Sequence, residues 1–161
     1  MAKRRVVFLI NSLTGGGAER VMCTLLHHSR AECEEFDVTL ALLDDEPAAH
    51  APPSWVKVRQ LDGRKAFGAS ILAVRNLFAE LPPDVTMSFL TRSNAANVLG
   101  ARCPCIISER ANTSAHFTSG LKGWVQRSIV RALYPRATRV IAVSEGVAAI
   151  FMSRAFVVLA Q

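Results

Sequence analysis

The chain has 161 residues, half of them hydrophobic and a fifth charged, and its 19 Lys and Arg exceed its 13 Asp and Glu by six. A chain of this length buries about 70% of its unfolded surface without staples, and the composition excludes a disordered or collagen-like polymer. The pI near 9.7 suits phosphate groups, nucleic acid or an anionic membrane surface and singles out none of them, but a single Tyr and no basic run interleaved with aromatics exclude a stacking platform for single-stranded RNA.

The basic start and the run Val6-Val7-Phe8-Leu9-Ile10 imitate a signal peptide, yet the run ends at Asn11, short of the roughly 7–15 apolar residues such a core needs. Residues 5–11 are better read as a strand buried on both faces, closed by a turn at Gly15-Gly16-Gly17. Residues 18–30 carry Val21, Met22, Leu25 and Leu26, the stripe of an amphipathic helix. A strand follows over 36–43, a proline-rich loop over 44–54 and a short strand over 56–61. Helical spacing returns over 66–80 and stops before Pro82-Pro83.

Residues 85–90 read as a strand, and 93–101 as a short helix with Ser93 as its cap. A strand over 105–108, a helix over 120–133, a strand over 139–143 and a helix starting at Glu145 under a Ser144 cap complete the pattern. Strands alternating with helices imply an α/β, Rossmann-like, doubly wound and mostly parallel sheet with helices on both faces. The domain is expected over residues 1–149, with 150–161 as an atypical apolar tail. No apolar stretch reaches the roughly 18 residues of a membrane span. Cys23, Cys33, Cys103 and Cys105 lack zinc-knuckle spacing, nothing marks secretion, and they are expected reduced in a cytoplasmic protein.

In such sheets ligands sit outside the carboxyl ends of the strands, which makes 14–19, 91–94, 108–112 and 144–146 the candidate segments. Gly15, Gly16 and Gly17 let backbone amides approach a ligand at the start of a helix, and phosphate binding is the natural use. Arg20 stands where a dinucleotide fingerprint needs its third glycine, and no GK[ST] follows, which disfavours NAD and ATP sites of the usual kinds. Glu109 and Arg110, with Ser108 and Asn112, crowd one strand end, and Arg92 and Asn94 crowd its neighbour. A structural salt bridge with a cap explains such clusters as readily as a ligand does. His116 follows the Glu109 cluster; His27, His28 and His50 carry no metal-ligand spacing, and no arrangement suggests a covalent nucleophile. The helix over 120–133 pairs apolar Leu121, Trp124, Val125 and Ile129 with Lys122, Arg127 and Arg131, a pattern shared by interfacial helices and by ordinary helices covering a sheet.

Asn11-Ser12-Leu13 with Gly15-Gly16-Gly17-Ala18-Glu19-Arg20-Val21, then Ile107-Ser108-Glu109-Arg110-Ala111-Asn112, then Val140 to Val147 with Ser144-Glu145-Gly146, together resemble the N-terminal half of the family 4 glycosyltransferases with the GT-B fold. The resemblance implies retaining transfer of a sugar from a nucleotide-sugar donor to a glycan or polyprenyl-diphosphate-linked acceptor, with no metal or other cofactor. It implies Gly15, Gly16 and Gly17 on the donor phosphates and Glu109 and Arg110 at the catalytic cleft, while Arg92, Asn94, Ser144 and Glu145 are expected toward substrate from their places at the strand ends. Arg110 departs from the histidine many relatives carry there. The family's donor-binding domain has no counterpart within these residues, so the isolated chain is expected to be inactive. Peripheral contact with the inner face of the plasma membrane and a separate donor-domain subunit are open as partners; no nucleic acid is expected. The alternatives are a partner subunit of a split glycosyltransferase and a non-catalytic nucleotide-binding Rossmann module.

Overall fold

Every residue from Val6 to Ile10 is apolar, a pattern that a strand satisfies only when both its faces are covered. The structure, a computed structural model, describes residues 2–109, 121–142 and 156–158 and provides that cover. Strands β1 (Arg4–Ile10), β2 (Phe36–Leu42), β3 (Lys57–Gln60), β4 (Val85–Phe89), β5 (Cys105–Glu109), β6 (Arg139–Ala142) and β7 (Phe156–Val158) form one sheet in the order β3-β2-β1-β4-β5-β6-β7. All six neighbouring pairs are parallel. Helices α1 (Gly17–His28), α2 (Phe67–Glu80), α3 (Thr91–Gly100) and α4 (Leu121–Leu133) cover it.

The period-two pleat divides the apolar runs between two cores. Phe8 and Ile10 face α1, packing with Met22, Leu26, Leu40 and Leu42, and Val56 closes that side where the β2–β3 connection has no helix. Val7 and Leu9 point the other way, onto Val74, Leu77 and Phe78 of α2 and Ala96 of α3. A third cluster joins Cys105 and Ile107 of β5 to Val130 of α4, Tyr134, Val140 and Ala142. Leu9 is fully buried, so truncating it to alanine would cost roughly 2–5 kcal/mol. The doubly wound fold expected from the alternating elements is therefore the one observed.

Two local differences bear on function. Helix α3 begins at Thr91, not Ser93, because Leu90 adopts φ 77° and ψ 145° and turns the chain sharply out of β4. Ser93 consequently lies inside the first turn; its hydroxyl donates to Asn11 Oδ1 at 2.7 Å and caps nothing. The second difference is β7, three residues of the apolar tail that pair with β6, Val140 opposite Phe156. An edge strand this short carries too little alternation to stand out in sequence. Among the described residues no helix is long and apolar enough to cross a membrane.

Candidate functional site

Strand β1 lies between β2 and β4. The chain leaves β1 toward one side of the sheet and leaves β4 toward the other, and a crevice opens between the two departing loops. The glycine loop forms one lip of it. Leu13 is buried and its carbonyl accepts from the Ala49 amide at 2.8 Å, which anchors the loop's base. Gly15 has φ 117°, a left-handed conformation that glycine adopts without strain, and a Cβ there would lie 3.2 Å from the Ala49 methyl. Gly16 is the N-cap of α1 and no side chain caps the helix; α3 likewise starts without a side-chain cap. The amides of two first turns are thus left as donors, and the Ser93–Asn11 hydrogen bond ties the first turn of α3 to the end of β1.

The Glu109 cluster has a different character. Glu109 is 0% exposed. Its Oε2 accepts from the Tyr134 hydroxyl and, at 3.3 Å, from Thr91 Oγ1. Tyr134 is almost fully buried, and burial followed by the Glu109 charge pushes its phenol well above the usual value. Asn94 is also fully buried; its amide donates to the Ser108 carbonyl and to the Tyr134 oxygen, both at 3.1 Å, and its Oδ1 accepts from Ser88 at 2.8 Å. The substrate-facing role expected of Asn94 therefore meets an amide bonded to its own protein on both sides. The group braces β4, β5, α3 and the 3-10 turn Tyr134–Arg136 against one another.

Arg92 is committed in the same way. Its guanidinium pairs with both oxygens of Asp44 and donates to Ser70 Oγ at 3.3 Å, with side-chain exposures of 13% for Arg92 and 6% for Asp44. Burial pushes Asp44 upward, but the Arg92 hydrogen bond and charge, with the Lys65 amide, outweigh it and hold the carboxyl below its ordinary value. Lys65 Nζ in turn pairs with Glu46 at 2.5 Å. These contacts tie the end of β2 to the loop before α2, to α2 itself and to the first turn of α3. Beside them a pocket of about 460 Å³ is lined by Asp44, Asp45, Gln60, Asp62, Arg64 and Lys65. A pocket of about 490 Å³, lined by Arg75, Phe78, Pro82, Pro83, Arg102 and Cys103, includes the prolines just ahead of β4 and so lies toward the amino ends of the strands, remote from the crevice.

The structure thus brings together Gly15, Gly16, Gly17, Arg92, Asn94 and Glu109 around the carboxyl ends of β1, β4 and β5, the last two through internal bonds. Arg110, Asn112, His116, Ser144 and Glu145 lie outside the described residues. The sequence reading missed Asp44 and Tyr134. Asp44 had a usable signal, since it directly follows a strand; Tyr134, 25 residues after Glu109 and past a helix, had none.

Residues 16–157 match the family described as glycosyl transferase 4-like domain. A curated relative from Campylobacter jejuni is 29% identical over 143 residues, covering 81% of this chain and 38% of its own length; it is a GalNAc-alpha-(1->4)-GalNAc-alpha-(1->3)-diNAcBac-PP-undecaprenol alpha-1,4-N-acetyl-D-galactosaminyltransferase. Among solved structures, a sucrose-phosphate synthase from Thermosynechococcus elongatus superposes with a TM-score of 0.71 at 9% identity, over 97% of this chain and 47% of that one. A lipopolysaccharide outer core galactosyltransferase in its apo form gives 0.65 at 14% identity, over 96% and 44%. At these identities the likeness is one of fold. The chain spans less than half the length of each of these proteins.

Proposed function

Because the chain belongs to the glycosyl transferase 4-like family, we propose that it forms the acceptor-side half of a retaining glycosyltransferase. The whole enzyme moves a sugar from a nucleotide-sugar donor to a lipid-linked glycan, without a metal, and this half is inactive by itself. The observation that carries the reading is the pair of uncapped helix starts, α1 and α3, on either side of the β1–β4 crevice. Amides there meet the diphosphate at the cleft, where stabilising the departing charge is the main catalytic task. The Campylobacter relative, whose named substrate is linked through diphosphate to undecaprenol, supports the acceptor class.

Within this reading Gly15, Gly16 and Gly17 approach the diphosphate. Glu109, Asn94 and Arg92 are positioning residues, since each is spent on internal partners. Glu109 fixes the end of β5. Trp124 on α4 is 62% exposed, and Arg131 and Arg136 beyond it are exposed too. An exposed indole on a helix that ends in exposed cations supports a peripheral contact with an anionic leaflet, on the cytoplasmic side where nucleotide-sugars are available.

The test joins this chain to a family donor-binding domain and follows transfer from radiolabelled nucleotide-sugars to polyprenyl-diphosphate-linked glycans. Transfer by the joined protein and none by the chain alone is the expected result. Transfer by the chain alone would refute its dependence on a second half; no transfer by joined proteins that bind nucleotide-sugar normally would refute the acceptor-side role.

A further inference from the structure

The pocket of about 490 Å³ at the amino ends of the strands is built by the last turns of α2 and α3 and the two prolines ahead of β4. Gly100, the last residue of α3, holds that helix against α2: a Cβ there would lie 3.0 Å from Val74 Cγ1 and 3.6 Å from Phe78 Cδ2. Phe78, Ala79, Pro82 and Pro83 give the pocket apolar walls, and proline's fixed φ makes that rim stiff. Two cations line it, Arg75 from α2 and Arg102 from the turn into β5, and no acidic residue does. Arg59, Arg64 and Arg92 each pair with a carboxylate. The guanidiniums of Arg75 and Arg102, by contrast, join no hydrogen bond or ion pair among the described residues. Arg5 adds a third positive charge at the rim, where it donates to the Pro82 carbonyl at 3.2 Å. Asp84, next after the prolines, accepts from the Arg5 amide at 2.7 Å and stays out of the lining. Burial pushes the Cys103 thiol up and so keeps it neutral at the pocket wall.

Like charges gathered in one concavity with apolar walls raise the local potential and draw an anion in. Guanidinium forks match the oxygens of a phosphate or carboxylate in pairs. A carboxylate has one edge to offer, whereas a phosphomonoester has three oxygens, enough for two arginines. The volume falls in the range of small-molecule sites, roughly 300–1,000 Å³, and a bare phosphate would leave the apolar walls wet. We propose that this pocket binds a small phosphomonoester, its phosphate held by Arg75 and Arg102 and its carbon body lying on Phe78, Ala79, Pro82 and Pro83. Helix α3, ten residues and about 15 Å long, separates the pocket from the first-turn amides at the crevice. The two places can therefore be filled at once, and the proposal stands apart from the sugar-transfer reading.

The experiment titrates the full 15N-labelled chain with phenyl phosphate, inorganic phosphate and benzoate. Phenyl phosphate should shift the amides of Ala79, Gly100, Arg102 and Cys103 to saturation, with the other two at least about tenfold weaker. Arg75→Gln and Arg102→Gln should each weaken phenyl phosphate about tenfold, as losing hydrogen bonds to a charged group does. Arg64→Gln, which removes the same charge at the opposite end of the sheet, should leave binding unchanged. Thermal melting confirms that each variant is folded. Glycerol 3-phosphate and dihexanoyl phosphatidic acid then separate a soluble ester from a lipid headgroup: binding of either at these amides supports the site, and the tighter one names the source. The proposal is overturned if no phosphomonoester shifts these amides, or if inorganic phosphate or benzoate binds as tightly as phenyl phosphate. It is equally overturned if the Arg75 and Arg102 variants bind like the parent, or if Arg64→Gln weakens binding as much as they do. None of these outcomes touches the joined-domain transfer assay, which judges the acceptor-side role independently.

Discussion

Tyr134 donates its hydroxyl proton to Glu109 at the end of β5, and both side chains are buried. Phenylalanine at 134 would leave Glu109 short of a donor and the Asn94 amide short of an acceptor. The expected loss is roughly 2–3 kcal/mol, a fall in Tm of about 5–10 °C by calorimetry. Glu109→Gln, which still accepts the proton, should lose less than Glu109→Ala.

Tyr134 is the chain's single tyrosine, and its raised pKa has a visible consequence. A raised value means that its stabilising contribution is complete below the ordinary phenol range and is lost as pH rises toward the folded value. Tyrosinate absorbance should therefore stay absent from the folded protein above pH 10 and appear together with unfolding. Ionisation near pH 10 with the circular dichroism unchanged would contradict the buried geometry.

The Arg92–Asp44 pair answers to acid. Asp44 is held below its ordinary value, so its contribution is present above about pH 4 and fades as pH falls through the lower folded value. Urea denaturation at pH 3 and pH 6 should show a loss in the parent chain that Asp44→Asn reduces. Arg92→Ala strands a carboxylate that is 6% exposed and should cost about 3–5 kcal/mol.

Glycines separate scaffold from lip. A Cβ on Gly63 would lie 2.7 Å from the Leu43 carbonyl oxygen and 3.0 Å from Ser70 Oγ; backbone cannot yield cheaply, and Gly63→Ala should cost on the order of 1–3 kcal/mol. Gly17→Ala meets nothing and should leave stability equal or slightly higher. In the joined protein it should nonetheless raise KM, because the lip narrows.

Thiol chemistry offers an independent check on burial. Desolvation pushes Cys105 to about 11, eased only partly by Thr86, and also raises Cys103 and Cys23. With a colorimetric disulfide reagent at pH 8, Cys105 should react only in denaturant. Rapid labelling of Cys105 in the folded chain would mean that the β5–α4 core is open.

How much of this was legible beforehand depends on the range of the interaction. Val6 to Ile10, the spaced apolar residues of α2 and the stop at Pro82-Pro83 are local signals, and the elements they announce stand within a residue or two of where they were expected. The glycine loop was legible because a run of three after a strand has few uses. Arg92 and Asn94 were found as polar residues at the right strand end, but the partners that occupy them, Asp44 and Tyr134, come 48 positions earlier and 40 positions later. No periodicity encodes such distances. Leu90 shows the same limit on a smaller scale: its positive φ arises where a strand must meet a helix abruptly, and leucine gives no hint of it.

Asp44 receives bonds from the loop before α2 and from α3, and Gly63 seals that corner from behind. The stretch from Asp45 to Trp55, with its three prolines, is stitched back by the Ala49–Leu13 hydrogen bond, by the Glu46–Lys65 pair and by the His50 and Ala51 carbonyls against Cys23 and His27. Between those anchors the exposed Pro47, Ala48 and Ser54 can be exchanged without disturbing the floor beneath. A lineage in need of a new recognition surface has its most mutable material there, beside the crevice, on a foundation indifferent to the change.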